Sequence, residues 1–130
     1  MRLRVGIDLV QVSRIAASLD AFGERFLRRI FTPGEIAYAT AAPALTAERL
    51  AARFAAKEAT IKALDLAERG VGWRQIEVRR DQSGACALVL HDEAAAVARA
   101  KGIDELAVSL SHEGDFATAI VISHTLRSHA

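Results

Sequence analysis

Three groups of residues could do chemistry here. Asp8 stands in the otherwise apolar run Gly6-Ile7-Asp8-Leu9-Val10, where a carboxylate is costly unless it is paired, hydrogen-bonded or bound to a metal. Arg49, Arg53 and Lys57 recur every four residues. On a helix they form a row that drifts onto the apolar stripe, with Lys57 near its centre. Cations in a row repel one another, and a phosphate or diphosphate among them relieves that repulsion. Long stems carrying their charged heads past the core to water are the alternative. Glu58 follows Lys57 and precedes Lys62 by four residues. Those two alone make an ordinary surface pair. Joined to Asp8, they give two hard carboxylates beside a cationic row. Such a set suits Mg²⁺ bridging phosphate oxygens, because Mg²⁺ takes few protein ligands. The third group is Ser109, Ser111 and His112. Ser111 and His112 are neighbours and face opposite ways if the strand continues, and no nucleophile elbow surrounds them, so a hydrolase pair fits poorly. Hydrogen bonding of a phosphate by His112 and a nearby hydroxyl fits better, and a plain polar strand end is the competing explanation. His91, His124 and His129 have no metal-ligand spacing with Cys86 or each other.

The elements that must position these groups follow from periodicity. Leu3, Val5, Ile7 and Leu9 alternate with Arg4, Gly6 and Asp8, which predicts a strand with two unequal faces. Ser13 can cap a helix with Ile15, Leu19, Phe22 and Phe26 on one stripe, which Gly23 bends or splits. Thr32-Pro33-Gly34-Glu35 predicts a capping box and a short helix ending before Pro43. Thr46 opens a longer helix to about Leu66, with Leu50, Phe54, Ile61 and Leu64 on its stripe. Trp73 to Arg79 and Ala85 to Leu90 flank Asp81-Gln82-Ser83-Gly84 and predict a hairpin. Trp73 itself suits a core or an interface. Asp92 can cap an Ala-rich helix that stops at Gly102. Strands around Leu106–Leu110 and Phe116–Ile122 follow, joined by a turn at Glu113-Gly114-Asp115. Strand, three helices, hairpin, helix and hairpin describe an α+β protein, an antiparallel sheet packed on helices. The order predicts a single domain over residues 1–125, with a frayed tail over 126–130.

Composition bounds the function. The 130 residues, 52% hydrophobic and 25% charged, make one core. With 17 Lys plus Arg against 16 Asp plus Glu, the formal charge of +1 lacks the basic excess of nucleic-acid binders. The single Cys86 forms no internal disulfide and fits a reducing compartment. Asp8 interrupts the apolar opening, no signal-peptide cleavage site follows, and the stretch Ile36–Ala47, the longest without Asp, Glu, Lys or Arg, is too short to span a bilayer. These features predict a soluble cytoplasmic protein with no nucleic-acid or membrane partner.

Gly6-Ile7-Asp8-Leu9-Val10, Arg53-Phe54-Ala55-Ala56-Lys57-Glu58-Ala59 with Lys62, and Ser109-Leu110-Ser111-His112 together resemble the three signatures of the 4'-phosphopantetheinyl transferases. Length and spacing are similar to the short holo-acyl-carrier-protein synthase type, over essentially the whole chain to Ser123. The resemblance implies that family's fold. It also implies Mg²⁺-dependent transfer of the phosphopantetheine arm of coenzyme A to a serine of an apo acyl carrier protein, releasing adenosine 3',5'-bisphosphate. Asp8 and Glu58 match the metal ligands, and Lys62 the lysine that stabilises diphosphate charge. Asp8, Glu58 and Lys62 are thus the expected catalytic set, with Glu58 the candidate base. Arg53 and Lys57 fall beside the coenzyme in the same motif. Ser111 and His112 match the strand end that contacts coenzyme A, the histidine near its 3'-phosphate. Arg14, Arg25 and the arginines that follow are similar to the basic helix that meets the acidic helix of the carrier; a solvated face is the alternative. A homotrimer with sites between subunits is implied as well.

The chain departs from the family pattern at Gln75, at Ala85-Cys86 and at Glu113, none of them within the three signatures. A non-catalytic homologue that binds coenzyme A or a carrier, and a Mg²⁺-dependent phosphohydrolase, are the competing functions.

Overall fold

The opening alternation forms a strand whose apolar side chains point away from the core. In the computed structural model, which describes residues 2–126, β1 (Arg2–Gln11) leaves Leu3, Val5, Ile7 and Leu9 60–64% exposed and buries Gly6 and Val10. The chain continues through α1 (Val12–Phe22), α2 (Glu24–Ile30), α3 (Pro33–Thr40), a 3₁₀ turn at Pro43–Leu45 and α4 (Thr46–Leu64). A second 3₁₀ turn, Trp73–Gln75, precedes β2 (Ile76–Arg80), β3 (Cys86–Leu90), α5 (Asp92–Ala100), β4 (Ile103–Glu113) and β5 (Phe116–Thr125). Gly23 separates α1 from α2 with φ of 54°, a conformation glycine adopts without a Cβ penalty. Of the predicted tail, Leu126 is exposed, and the remainder, with His129, lies outside the described residues.

All pairing is antiparallel, but there are two sheets rather than the single one predicted. β1, β5 and β4 form a three-stranded sheet in that order, and β2 with β3 forms a separate hairpin. β3 lies against β4 without entering its ladder.

The capping box at Thr32 forms: the Thr32 hydroxyl accepts from the Glu35 N–H at 3.3 Å, and the Glu35 carboxylate accepts from the Thr32 N–H at 2.9 Å. Two other predicted caps, at Ser13 and Asp92, are made differently, because each helix start lies against another segment. Ser13 sits inside α1, and its N–H and hydroxyl donate to Asp115 at 2.9 and 2.6 Å. The β4–β5 turn thus caps α1, and the Ser13 bonds hold the Asp115 carboxyl below its usual range. Thr46 is the first residue of α4 and donates to the Ala39 carbonyl at 2.9 Å. Asp92 opens α5, where Gln75 accepts the Ala94 N–H at 3.0 Å.

The core is centred on α4. Ala51, Ala55, Ala56, Ala59 and Ala63 are fully buried, and Ala117, Ala119 and Val121 of β5 face them. Such small side chains let helix and sheet approach closely. The tightest contact is at Gly6, where an added Cβ would stand 2.0 Å from the Ala59 carbonyl oxygen and 2.8 Å from the Ala63 nitrogen. Both obstacles are backbone, so neither can swing aside. Gly6→Ala is expected to destabilise the fold by about 3 kcal/mol or more, read as a lowered urea midpoint with unchanged slope. An unchanged midpoint would show that the contact is looser than described.

Candidate active site

The close approach at Gly6 sets Asp8, two residues on, beside the C-terminal half of α4. The Asp8 carboxylate, 19% exposed, meets Lys62 Nζ at 3.1 Å. Lys62 also donates to the Ile7 carbonyl at 2.9 Å, and the Asp8 carbonyl accepts from the Thr118 hydroxyl at 2.7 Å. Lys62 therefore bonds across to the strand rather than back along the helix to Glu58, the surface pair that spacing alone allowed. Glu58 lies one turn earlier on α4, half-buried in the same cleft. Burial and then the like charge of Asp8 push its carboxyl above the usual range, and Lys62 opposes the shift. The cleft holds about 430 Å³ and is also lined by Arg14, Phe26, Ile30 and Phe54. Asp8, Glu58 and Lys62 are thus brought together, and Arg14 of α1 lines the same cleft.

Arg53, Ser111 and His112 are gathered in a different cleft of about 320 Å³, with Tyr38, Glu48, Arg49, Arg80 and Cys86. Arg53 is 5% exposed and stacks its guanidinium over the Tyr38 ring at 4.4 Å. Burial lowers its pKa. His112 Nδ1 lies 3.1 Å from Glu48. Tyr38, Glu48 and Arg80 were not singled out from sequence. Only the folding of β2 and α3 against α4 brings Tyr38 and Arg80 to the cleft, so no local spacing signals them.

Lys57 is a correction. The row of three cations does not present it to a ligand: Lys57 is fully buried, and its Nζ donates to Glu35 at 2.8 Å, to the Trp73 carbonyl at 3.1 Å and to the Ile76 carbonyl. All three donors of an ammonium are then used. Burial lowers its pKa, opposed by Glu35. The Glu35 carboxylate also accepts the Thr32 and Val78 N–H groups at 2.9 Å each, so one ion pair ties α4 to α3 and β2. Its partner was legible only as half of the capping box.

Arg25 stands apart from the Asp8 cleft. With Arg29, Phe22 and Trp73 it lines a neighbouring groove that shares Ser18, Phe26, Ile30 and Phe54 with that cleft. Trp73 packs on Phe54 with ring centroids 5.1 Å apart. Of the departures, Gln75 serves as the α5 cap, Cys86 lines the Arg53 cleft and Glu113 is exposed. Among the described residues no three His, Cys, Asp or Glu side chains gather as a metal cage, and no helix is long and apolar enough to cross a membrane.

A three-stranded sheet wrapped on one buried helix, with paired carboxylates in one cleft and clustered guanidiniums in another, defines an α+β protein with two charged clefts. Residues 4–121 match the family model of the 4'-phosphopantetheinyl transferase superfamily, and the chain belongs to that family. It is 48% identical over 123 residues to a holo-[acyl-carrier-protein] synthase of Koribacter versatilis, covering 94% of this chain and 98% of the relative. Among solved structures it resembles the Chronobacterium ammoniagenes ACPS-CoA complex, with TM-score 0.85 and 39% identity, covering 98% of this chain and 100% of that one. It is also similar to the Helicobacter pylori holo-[acyl-carrier-protein] synthase in complex with coenzyme A, with TM-score 0.80 and 29% identity over 92% of this chain and 99% of that one.

Removing one partner of a buried ion pair strands the other charge, a loss of about 3–5 kcal/mol. Lys57→Met is therefore expected to lower the denaturation midpoint sharply, and adding Glu35→Gln to recover part of the loss. In whatever fraction stays folded, coenzyme A affinity should hold. A variant with unchanged midpoint and weakened coenzyme A binding would restore Lys57 to the ligand site.

Proposed function

We propose that this chain is a holo-acyl-carrier-protein synthase that moves 4'-phosphopantetheine from coenzyme A to a serine of an apo acyl carrier protein and releases adenosine 3',5'-bisphosphate. The observation that carries the reading is the convergence of Asp8, Glu58 and Lys62, from segments some fifty residues apart, in one cleft of a chain in this family. The serine oxygen attacks the β-phosphorus, a new P–O bond forms, and the bond to the leaving nucleotide breaks. Glu58, its carboxyl held above the usual range by burial and the charge of Asp8, takes the serine proton. Lys62, held by the Ile7 carbonyl and Asp8, sets positive charge where the leaving phosphate becomes more negative.

Asp8 and Glu58 fit a Mg²⁺ ion. They supply two hard oxygen donors whose mutual repulsion a divalent cation relieves, and Mg²⁺ draws its other ligands from phosphate and water. Bound there, it would neutralise diphosphate charge.

The groove bordered by Arg25 and Arg29 adjoins this cleft, and Arg14 lines the cleft itself. That placement supports docking of an acidic carrier surface, with its serine directed toward Glu58. The unpaired thiol of Cys86 supports a cytoplasmic setting.

A shared site explains a second feature. Val5 stands opposite Ile122 and Ile7 opposite Ile120, and with Leu3 and Leu9 they leave an apolar sheet face exposed, as subunit interfaces do. The Asp8 cleft lies at the β1 edge of that sheet and the Arg53 cleft at its β4 edge. We assign the face to a homotrimer in which the Asp8 cleft of one subunit works with the Arg53 cleft of the next.

Incubation of the protein with coenzyme A, Mg²⁺ and apo carrier is expected to raise the carrier's intact mass by one phosphopantetheine, and chelator to abolish the rise. Asp8→Asn and Glu58→Gln should each lower kcat about 10²-fold or more, and Arg25→Glu should raise KM for the carrier but not for coenzyme A. Release of phosphopantetheine and adenosine 3',5'-bisphosphate without carrier modification would indicate a hydrolase, and binding without turnover a non-catalytic homologue. Full activity of both carboxylate variants would remove the metal assignment, and equal effects of Arg25→Glu on both substrates the docking one.

Sedimentation should give the mass of three chains, reduced to one by Val5→Glu. Coexpressed Asp8→Asn and Arg53→Gln chains should recover activity that each variant lacks alone. A mixture as inactive as its components would place the whole site in one subunit.

A further inference from the structure

Arg49, Arg53 and Arg80 surround a single side chain. The guanidinium carbons of Arg49 and Arg53, one helical turn apart on α4, lie 4.1 and 4.4 Å from the Tyr38 ring centroid. Arg80, at the end of β2, stands 5.5 Å from the same centroid and donates to the Tyr38 hydroxyl. Arg49 Nη1 donates to the Tyr38 carbonyl at 2.8 Å. Among the described residues none of the three arginines has a carboxylate partner. The one acid lining their cleft, Glu48, is bonded to His112.

Three like charges around one ring repel one another, and the field of Arg49 works against the charge on Arg53. The negative face of the ring offsets part of that repulsion. Stacking also uses the flat face of a guanidinium and leaves its in-plane N–H donors free. The arrangement therefore holds three forks in place at the expense of one donor of Arg49 and one of Arg80, and leaves the fork of Arg53 unspent. It opens toward Ser111 and His112, so the anion it suits is a compact one with several acceptor oxygens.

We propose that Tyr38 is a positioning residue, gathering Arg49, Arg53 and Arg80 through its ring, carbonyl and hydroxyl into a clamp for a phosphomonoester, the 3'-phosphate of coenzyme A. This rests on the functional reading above for the identity of the ligand. The clamp itself rests on the arginine geometry.

Two variants separate the contributions. Tyr38→Phe keeps the stack and removes the Arg80 bond; Tyr38→Leu removes both. Calorimetry with adenosine 3',5'-bisphosphate and adenosine 5'-monophosphate reads the clamp without turnover. Tyr38→Leu is expected to weaken the bisphosphate about 10-fold or more and leave the monophosphate unchanged. In turnover, KM for coenzyme A should rise while kcat and KM for 3'-dephospho-coenzyme A hold. Tyr38→Phe should lose no more than Arg80→Ala loses, and the double variant no more than Arg80→Ala alone. Parallel weakening of both nucleotides, or a fall in kcat with KM unchanged, would overturn the clamp. Selective binding of the bisphosphate by a protein that transfers nothing would instead overturn the functional reading and leave the clamp standing.

Discussion

Backbone contact between β1 and α4 organises the molecule. Gly6 lies so close to the Ala59 carbonyl and the Ala63 nitrogen that no side chain fits between them, and the alanines of α4 and β5 sustain that approach along the sheet. Asp8 follows Gly6 by two residues and so points to the same side. Glu58 and Lys62 flank the contact residues on the helix. A carboxylate of the strand and a carboxylate and ammonium of the helix therefore share a cleft because the backbones touch, and a looser packing would separate them.

Burial of α4 on nearly every side has a second consequence. Any polar group on the helix must find a partner inside the protein, since unpaired burial of charge is prohibitive. Lys57 finds Glu35 and two carbonyls, Thr60 donates to the Ala56 carbonyl at 2.7 Å, and Arg53 lies on Tyr38. The network continues outward: the Thr32 hydroxyl donates to Glu77 at 2.8 Å, and Glu77 meets His91 at 2.9 Å. Burial alone would raise the Glu77 carboxyl, but the bonds from His91 and Thr32, with Arg79 nearby, hold it below its usual value. Helix α4 thus carries enclosed and cleft-facing charges side by side. Lys57 and Glu58 are adjacent in the chain, yet one is buried against Glu35 and the other lines a cleft.

Element types were legible where the chemistry is local. The Thr32 capping box, the split at Gly23, the β2–β3 hairpin and the convergence of Asp8 with Glu58 all follow from nearby residues or from the resemblance. What failed did so for non-local reasons. Ser13 and Asp92 were expected to cap their own helices, but Asp115 and Gln75 supply the oxygens from distant turns. Lys57 sits among small apolar residues whether it binds a ligand or an internal acid, and only the position of Glu35, 22 residues earlier, decides between them. In β1 the alternation reveals two faces without saying which lies inside. The larger side chains are the exposed ones, because the inward face needs Gly6 to admit the helix.

Stability alone does not account for the Asp8 cleft. Lys62 is 53% exposed on its side chain, and an exposed ion pair of this kind contributes about 0–1 kcal/mol. Against that small gain, Glu58 is partly desolvated and faces the like charge of Asp8, two effects of unfavourable sign. Replacing Glu58 by an apolar residue would relieve both, and the neighbouring Phe54 and Ile30 would accept one. The Lys57–Glu35 pair differs in kind, since its charges are fully enclosed and matched by backbone groups on every side. One acid of α4's surroundings is held for the fold, and another is held against it. Positive charge entering from solvent would relieve the strain in the second arrangement, which is the property the proposed metal site requires.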